Sequence, residues 1–275
     1  MSATTVSPST NPAAPGAATV PARVAARRIP TSRLVKVELR KMFDTRSGFW
    51  LMSSIGILAV IATGSVILFA SEGSQTYDNF GAAIGFPMVV ILPIIAALSV
   101  SSEWSQRSGL TTFTLVPRRG RIIAVKLGLS VAVGVVSIAL ALAIGALGNI
   151  LGAAIAGIDP VWDIPLDQAL GIVLANVLGM LVGFMLAVLI RNSAGAIVGY
   201  FVYSFVLPPL SMLLASSQQW WEDLQPWVDF NFAQGNLFNG DLTGEMWAQL
   251  GVTTLFWLAI PLAIGLWVVR RAEVK

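Results

Sequence analysis

Long apolar runs alternate with short polar segments along most of this chain. Six of the runs contain no Asp, Glu, Lys or Arg, and they lie at about residues 48–70, 82–101, 127–155, 169–190, 194–215 and 248–269. A helix needs about 20 apolar residues to cross roughly 30 Å of hydrocarbon. The pattern therefore predicts an all-α polytopic membrane protein with six transmembrane helices between residues 48 and 269.

Two segments of different character precede the first span. Residues 1–30 are rich in Ala, Pro, Ser and Thr and have no apolar run, which predicts a disordered tail. Residues 31–47 predict an amphipathic helix lying in the headgroup layer, although an ordinary solvated helix is the alternative. On a helical wheel Val37 and Glu38 are misplaced. The apolar half holds Leu34, Val35, Leu39, Met42 and Phe43, and the polar half holds Arg33, Lys36, Arg40, Lys41 and Asp44.

Positive charge is confined to alternate loops of this six-span arrangement. Of the 17 Lys and Arg, eight precede the first span, five lie between the second and third, one follows the fourth and three follow the sixth. The intervening loops carry acidic residues and no cation. Cytoplasmic loops of membrane proteins are enriched in Lys and Arg. The sequence thus predicts a protein of the cytoplasmic membrane with both the N-terminus and residues 270–275 in the cytoplasm.

The composition narrows the possible chemistry. The chain has no Cys and no His, and the six spans contain no Asp, Glu, Lys or Arg. An intramembrane enzyme is therefore unsupported, and we expect no catalytic residue, metal or cofactor on this chain and no nucleic-acid partner. A self-contained secondary transporter or channel stays an alternative, but ion coupling normally needs an ionisable group within the membrane.

The segment between the second and third spans is longer than a connection requires. Ser102 can cap a short helix, and Pro117 can end it. Between them Trp104, Leu110 and Phe113 are large apolar residues among charged ones. This mixture predicts a short cytoplasmic helix that contacts a partner outside the bilayer, with a connector bound to headgroups as the alternative.

The same segment resembles the ABC-2 type permease family. The matching positions are Glu103, Gly109, the apolar run from Leu110 to Val116, Pro117 with Arg118 or Arg119, and Lys126. The basic segment that begins at Leu34 is similar to the elbow helix that leads into the first span in that family. Members of that family usually have a turn similar to Pro-Val-Ser-Arg at this place. Here the turn reads Pro117-Arg118-Arg119, so either Arg118 or Arg119 corresponds to the Arg of the family.

The resemblance implies a permease subunit of an ABC exporter. Two such chains, identical or paralogous, would pair with two copies of a separate ATPase that binds ATP and magnesium, and this chain has no Gly-x-x-x-x-Gly-Lys-Ser/Thr phosphate loop. The loop would supply a coupling helix in which Trp104, Leu110 and Phe113 contact the ATPase. Glu103 and Arg107 would tie that helix to the elbow helix or the ATPase. Arg118, Arg119 and Lys126 would lie at the inner headgroups.

The resemblance also implies that the second and fifth spans line a path at the interface of two permease chains. Large apolar residues there suit a lipophilic or amphipathic cargo, but they are equally expected to face lipid. The candidates are Phe86, Met88, Phe201, Tyr203, Phe205 and Met212. A non-transporting immunity or sensor subunit of the same architecture remains a further alternative.

Three further sequence features predict details of the helices and their contacts. Pairs of glycines four residues apart, such as Gly179 and Gly183, predict close helix contacts. Prolines in the second, fifth and sixth spans predict kinks or early helix ends. The Trp-rich segment at 216–247 predicts short interfacial or re-entrant helices on the outer side.

Overall fold

The computed structural model describes residues 30–44, 46–105 and 119–271. The predicted N-terminal tail and most of the predicted coupling loop lie outside the described residues. The long elements are all helices. They are α1 (Thr31–Asp44), α2 (Arg46–Phe69), α3 (Tyr77–Ser105), α4 (Arg119–Ala156), α5 (Leu166–Ile190), α6 (Ser193–Phe201, Val202–Val206 and Leu207–Ser217), α7 (Gln219–Val228), α8 (Phe230–Gly235) and α9 (Gly244–Thr254, Leu255–Ala259 and Ile260–Arg271).

Six of these helices are long and apolar enough to cross a membrane, namely α2 to α6 and α9. This confirms the predicted helical fold with six helices of membrane-spanning length, while the elbow role of α1 and the side on which the termini lie stay predictions. The helices extend beyond the predicted apolar windows, since α3 begins at Tyr77 rather than residue 82 and α4 begins at Arg119 rather than residue 127. The difference has a physical cause: a helix can continue into polar surroundings because its backbone hydrogen bonds do not depend on side-chain polarity.

Helix α5 lies at the centre of the bundle. In its most apolar window 61% of the residues are buried, against 6% for α2 and 11% for α6. Its glycines allow α3 to approach closely: a Cβ added at Gly183 would collide with the carbonyl oxygen of Pro93. Phe184 and Val188 of α5 are fully buried against α3 residues such as Leu92. The predicted close helix contact at Gly183 is therefore present.

Helices α6 and α9 each contain a π-helical turn that ends two residues before a proline. The turn Val202–Val206 precedes Pro208, and the turn Leu255–Ala259 precedes Pro261. A proline ring crowds the carbonyl four residues earlier and cannot donate to it. The wider π turn accommodates this defect, and the helix continues. In α3, Pro87 and Pro93 lie inside one unbroken helix, so none of these prolines ends its helix.

Hydrogen bonds define two ends of the bundle. The basic end comprises α1, the end of α3, the start of α4 and the turn at Arg191. There the Ser193 hydroxyl lies 3.0 Å from the hydroxyls of Ser101 and Ser105, which joins the start of α6 to the end of α3. At the acidic end, the backbone N–H of Asp78 donates to Asp163 Oδ1 at 2.8 Å. The acidic end comprises residues 70–78, 157–168 and 218–243, none of which is Lys or Arg.

The turn between α5 and α6 shows how the basic end is built. Arg191 adopts a left-handed conformation with φ of 55° and donates its N–H to the Ala187 carbonyl, which ends α5. Asn192 then caps α6 by accepting from the Gly195 N–H at 2.9 Å. This two-residue connection contrasts with the much longer segment that joins α3 to α4.

The Trp-rich segment forms the short helices α7 and α8. Their predicted interfacial or re-entrant position on the outer side stays a prediction. Phe230 and Leu237 are fully buried and pack with Leu178 and Val182 of α5. Gln234 Nε2 donates to the Ala175 carbonyl at 2.7 Å. These contacts fix the segment against the middle of α5.

We expect Gly183→Ala to destabilise the folded chain by about 1–3 kcal/mol, because the new methyl group would overlap the backbone of Pro93. The measurement is thermal unfolding of the purified protein in mild detergent. Gly56→Ala is the matched control, since a Cβ there meets no atom within 4 Å. Equal melting temperatures for the two variants would contradict the close α3–α5 packing.

Candidate functional site

Four charged side chains form a closed ion-pair ring at the basic end. Glu38 and Lys41 belong to α1, Glu103 lies near the end of α3, and Lys126 lies in the first turns of α4. Lys41 Nζ is 2.9 Å from Glu38 Oε1 and 3.4 Å from Glu103 Oε1. Lys126 Nζ is 3.1 Å from Glu103 Oε1 and is ion-paired with Glu38 Oε2. Acids and bases alternate, so the ion-pair ring is electrically neutral.

Three of the four members are buried. Glu38, Glu103 and Lys126 are 5%, 6% and 5% exposed, whereas the Lys41 side chain is 44% exposed. Lys126 also donates to the Ser99 carbonyl at 2.9 Å. Removing a charge from water costs several kcal/mol unless partners and hydrogen bonds compensate. The ion-pair ring supplies those partners, so each member depends on the others.

The burial of Glu38 explains its misplacement on the wheel of α1. Leu34, Glu38 and Met42 follow one another at intervals of four residues and form the face that is turned toward the bundle. Val35 and Phe43 stay exposed on another face. The single apolar face predicted from the sequence is therefore two faces, and Glu38 lies on the inner one because Lys126 meets it there.

The surroundings set the charge of the α1 members. Burial alone would raise the pKa of Glu38, but Lys126 and Lys41 hold that pKa below its ordinary value. Burial alone would lower the pKa of Lys41, but Glu38 and Glu103 raise it above its ordinary value. Both groups are consequently charged at neutral pH.

Further contacts fix both ends of the segment 106–118. On the α4 side, Arg121 Nη2 donates to the Thr31 hydroxyl at 2.7 Å and the Ser130 hydroxyl lies 3.2 Å from that of Ser99. On the α3 side, the Trp104 ring is half-buried against the core that α3 and α5 share. Both ends are thus held against α1 and the bundle.

The predicted coupling residues are only partly described. Arg107, Gly109, Leu110, Phe113, Pro117 and Arg118 lie outside the described residues, and Arg119 begins α4. Glu103 was expected to contact either the elbow helix or the ATPase. In the structure it forms an ion pair with Lys41 of α1. Because α4 starts earlier than predicted, Lys126 lies about two turns inside it and faces α1 and α3. It is buried there, whereas contact with the inner headgroups was expected to leave it exposed.

The six predicted path residues lie in three different places. Phe86 and Met88 line a cavity of about 540 Å³ between α3, α4 and α5. Tyr203 lines a second cavity of about 240 Å³ between α6, α7 and α9. The other three lie exposed on α6, where the rings of Phe201 and Phe205 stack with centroids 5.7 Å apart; they are Phe201, Phe205 and Met212. Within one chain these residues do not form a single path.

The comparisons add no relative to this picture. No family model matches the sequence, and no curated protein matches it. Among the residues that the structure describes, no group of three or more acidic side chains could hold a metal ion. The ion-pair ring and the two cavities are therefore the features of the described residues from which a function can be inferred.

We expect Lys126→Met to destabilise the protein by about 3–5 kcal/mol, since it leaves two buried carboxylates with one half-exposed lysine. Unfolding of the purified protein, followed by tryptophan fluorescence, measures the loss. Lys36→Met is the control because it removes the same charge from an exposed position on α1. If both variants unfold alike, Lys126 does not hold the ion-pair ring together.

The wild-type protein should lose stability in acid. The folded-state pKa of Glu38 is lowered, so its contribution is complete above the unfolded pKa and disappears as pH falls through the folded pKa. Lys41 contributes below its unfolded pKa and loses this contribution as pH rises through its raised folded pKa. Unfolding measured across the acid range should therefore depend less on pH in Glu38→Gln than in wild type or in the exposed control Asp44→Asn. Identical profiles would exclude this role of Glu38.

Proposed function

We propose that this chain is the membrane-spanning permease subunit of an ATP-driven ABC exporter. The observation that carries the proposal is the ion-pair ring, which joins α1 to both ends of the segment 106–118. A force applied to this segment by a partner would reach α1, α3 and α4 together. This connection is what an energy-coupling loop requires.

The route from the loop to the bundle is short. The end of α3 carries Glu103, and the same helix packs against α5 at Pro93 and Gly183 without room for a methyl group. Close-packed interiors transmit small displacements rather than absorbing them. Movement of the ring would thus change the packing between α3 and the central helix α5.

The energy source is proposed to be a separate ATPase. The chain has no phosphate loop, so ATP and magnesium would bind to that partner. In the described residues the buried charged side chains are Glu38, Glu103 and Lys126, all in the neutral ring. Ion-coupled carriers use an ionisable group along the membrane path. This distribution favours an external ATPase over a self-contained secondary transporter.

Orientation and assembly complete the proposal. The basic end would face the cytoplasm, where ATP is available, in accordance with the distribution of Lys and Arg. Two copies of the ATPase and a second permease chain would complete the exporter in the cytoplasmic membrane. Phe201 and Phe205, exposed on α6, are candidates for the permease interface and for contact with a lipophilic or amphipathic cargo.

The test is to purify the tagged full chain from its native membrane in mild detergent and identify copurifying proteins by mass spectrometry. We expect a soluble protein with a phosphate-binding loop in comparable amount. Phe113→Asp should remain in the membrane but abolish ATPase recovery and permease-dependent ATP turnover. Thr111→Asp is the control, because it adds the same charge to the same loop and leaves the aromatic ring in place.

Each other outcome has a defined meaning. A chain that purifies alone, or only with itself, would contradict the proposal and favour a channel or secondary carrier. Normal ATP turnover in Phe113→Asp would contradict the coupling role of this residue. A copurifying ATPase whose activity never responds to any cargo would favour a non-transporting immunity or sensor subunit.

A further inference from the structure

The cavity of about 540 Å³ has chemically different ends. It lies within a single chain between α3, α4 and α5, and its volume falls in the range of small-molecule sites in proteins. Asp78 and Gln168 line it toward the acidic end, whereas Met88, Val89 and Ile138 line its apolar part. From Asp78 to Val89 the α3 backbone rises about 16 Å. The cavity is therefore elongated and amphipathic.

The charge at the polar end has no counterion among the described residues. Asp78 Oδ1 accepts from Gln168 Nε2 at 3.3 Å, and Asp163 receives the backbone N–H of Asp78. No ion pair among the described residues includes either carboxylate. The sequence has no Lys or Arg at 71–106 or 127–190. Two neighbouring carboxylates of this kind create a negative potential that favours a cationic ligand.

A buried acceptor deeper in the cavity also lacks a partner. Asn176, which is 5% exposed, lines the cavity and donates its amide to the Ile172 carbonyl at 2.8 Å. Its Oδ1 has no hydrogen-bond partner among the described residues. Buried polar atoms of folded proteins are almost always satisfied. A hydroxyl or N–H group of a ligand would satisfy this oxygen.

The cavity has access to the surface of the bundle. Phe86 lines it and is 72% exposed, so this side of the cavity reaches the outer surface of the chain. Next to Phe86, Gly85 also lines the cavity, and a Cβ added there meets no atom within 4 Å. An elongated molecule that lies in a bilayer could enter from this side.

We propose that this cavity binds an elongated amphiphile with a primary ammonium headgroup, whose N–H groups can donate to Asp78 and Gln168 as the quaternary group of phosphatidylcholine cannot. The headgroup lies at Asp78 and Gln168, and the apolar part lies along Met88 and Val89. A ligand that also carries a donor on its chain would reach Asn176 and bind more tightly than a plain alkylamine. The inference does not depend on the proposed ATPase partner, because the site is complete within one chain. The cavity is also separate from the exposed α6 residues offered above for contact with cargo.

The test uses the purified full chain in phosphatidylcholine nanodiscs and a photoreactive dodecylamine that carries a diazirine on its alkyl chain. We expect labelling of α3 and α5, mapped by mass spectrometry, with competition by dodecylamine and not by dodecanol or dodecyl sulfate. Asp78→Asn should weaken labelling on the order of tenfold. Asp167→Asn, which removes an exposed acid outside the cavity, should leave labelling unchanged.

A second pair of variants tests the cavity itself. Gly85→Leu places a side chain in the open space and should abolish labelling, whereas Gly64→Leu on α2 makes the same change at an open position outside the cavity. Labelling that survives Gly85→Leu, or that neutral and anionic competitors reduce equally, would overturn the proposal. Should Gly85→Leu fail to fold, the Asp78→Asn and Asp167→Asn pair decides the question.

A third experiment distinguishes a membrane lipid from a ligand that enters from solution. Phosphatidylethanolamine carries a primary ammonium group, so nanodiscs that contain it provide a bilayer competitor. Reduced labelling in these nanodiscs supports the binding site and identifies a membrane lipid as its occupant. Unchanged labelling there, together with competition by dodecylamine, supports the site and identifies an amphiphile that enters from solution.

Discussion

The ion-pair ring is the interaction on which the basic end of this protein depends. Helix α1 exposes Val35 and Phe43 and directs Glu38 into the bundle, where Lys126 meets it. Each carboxylate of the ring contacts both lysines, so removal of any member leaves a buried or half-buried charge short of partners. The ends of α3 and α4 are therefore held at the same point as α1, and the segment between them starts and ends on a rigid base.

Charged side chains are paired at the basic end of the bundle and unpaired among the described residues at the acidic end. At the basic end Glu103 and Lys126 neutralise each other inside the protein. At the acidic end Asp78 and Asp163 hydrogen-bond to backbone or amide groups and form no described ion pair. On this account the basic end serves mechanical coupling to a protein partner, while the acidic end attracts a cationic molecule. The central helix α5 connects them, because it packs on α3 along much of its length.

The sequence predicts features that depend on neighbouring residues and misses those that depend on distant ones. Six apolar windows suffice to predict six long helices, since hydrocarbon thickness fixes their length. The burial of Glu38 was not predictable from the wheel of α1, because its partner Lys126 lies 88 residues away. The central position of α5 was equally hidden, since all six windows are similarly apolar. The candidate residue Glu103 was found through the family resemblance, whereas the role of Asn176 follows only from the cavity.

A double-mutant cycle on Glu38→Gln and Lys126→Met tests the ion-pair ring most directly. Each single variant leaves the ring with a net charge, whereas the double variant leaves one neutral pair, Lys41 with Glu103. The free energy of unfolding should therefore be higher for the double variant than for Lys126→Met alone, with a coupling of about 0.5–3 kcal/mol. Additive losses, with the double variant the least stable of all, would show that these two side chains do not interact and would contradict the account.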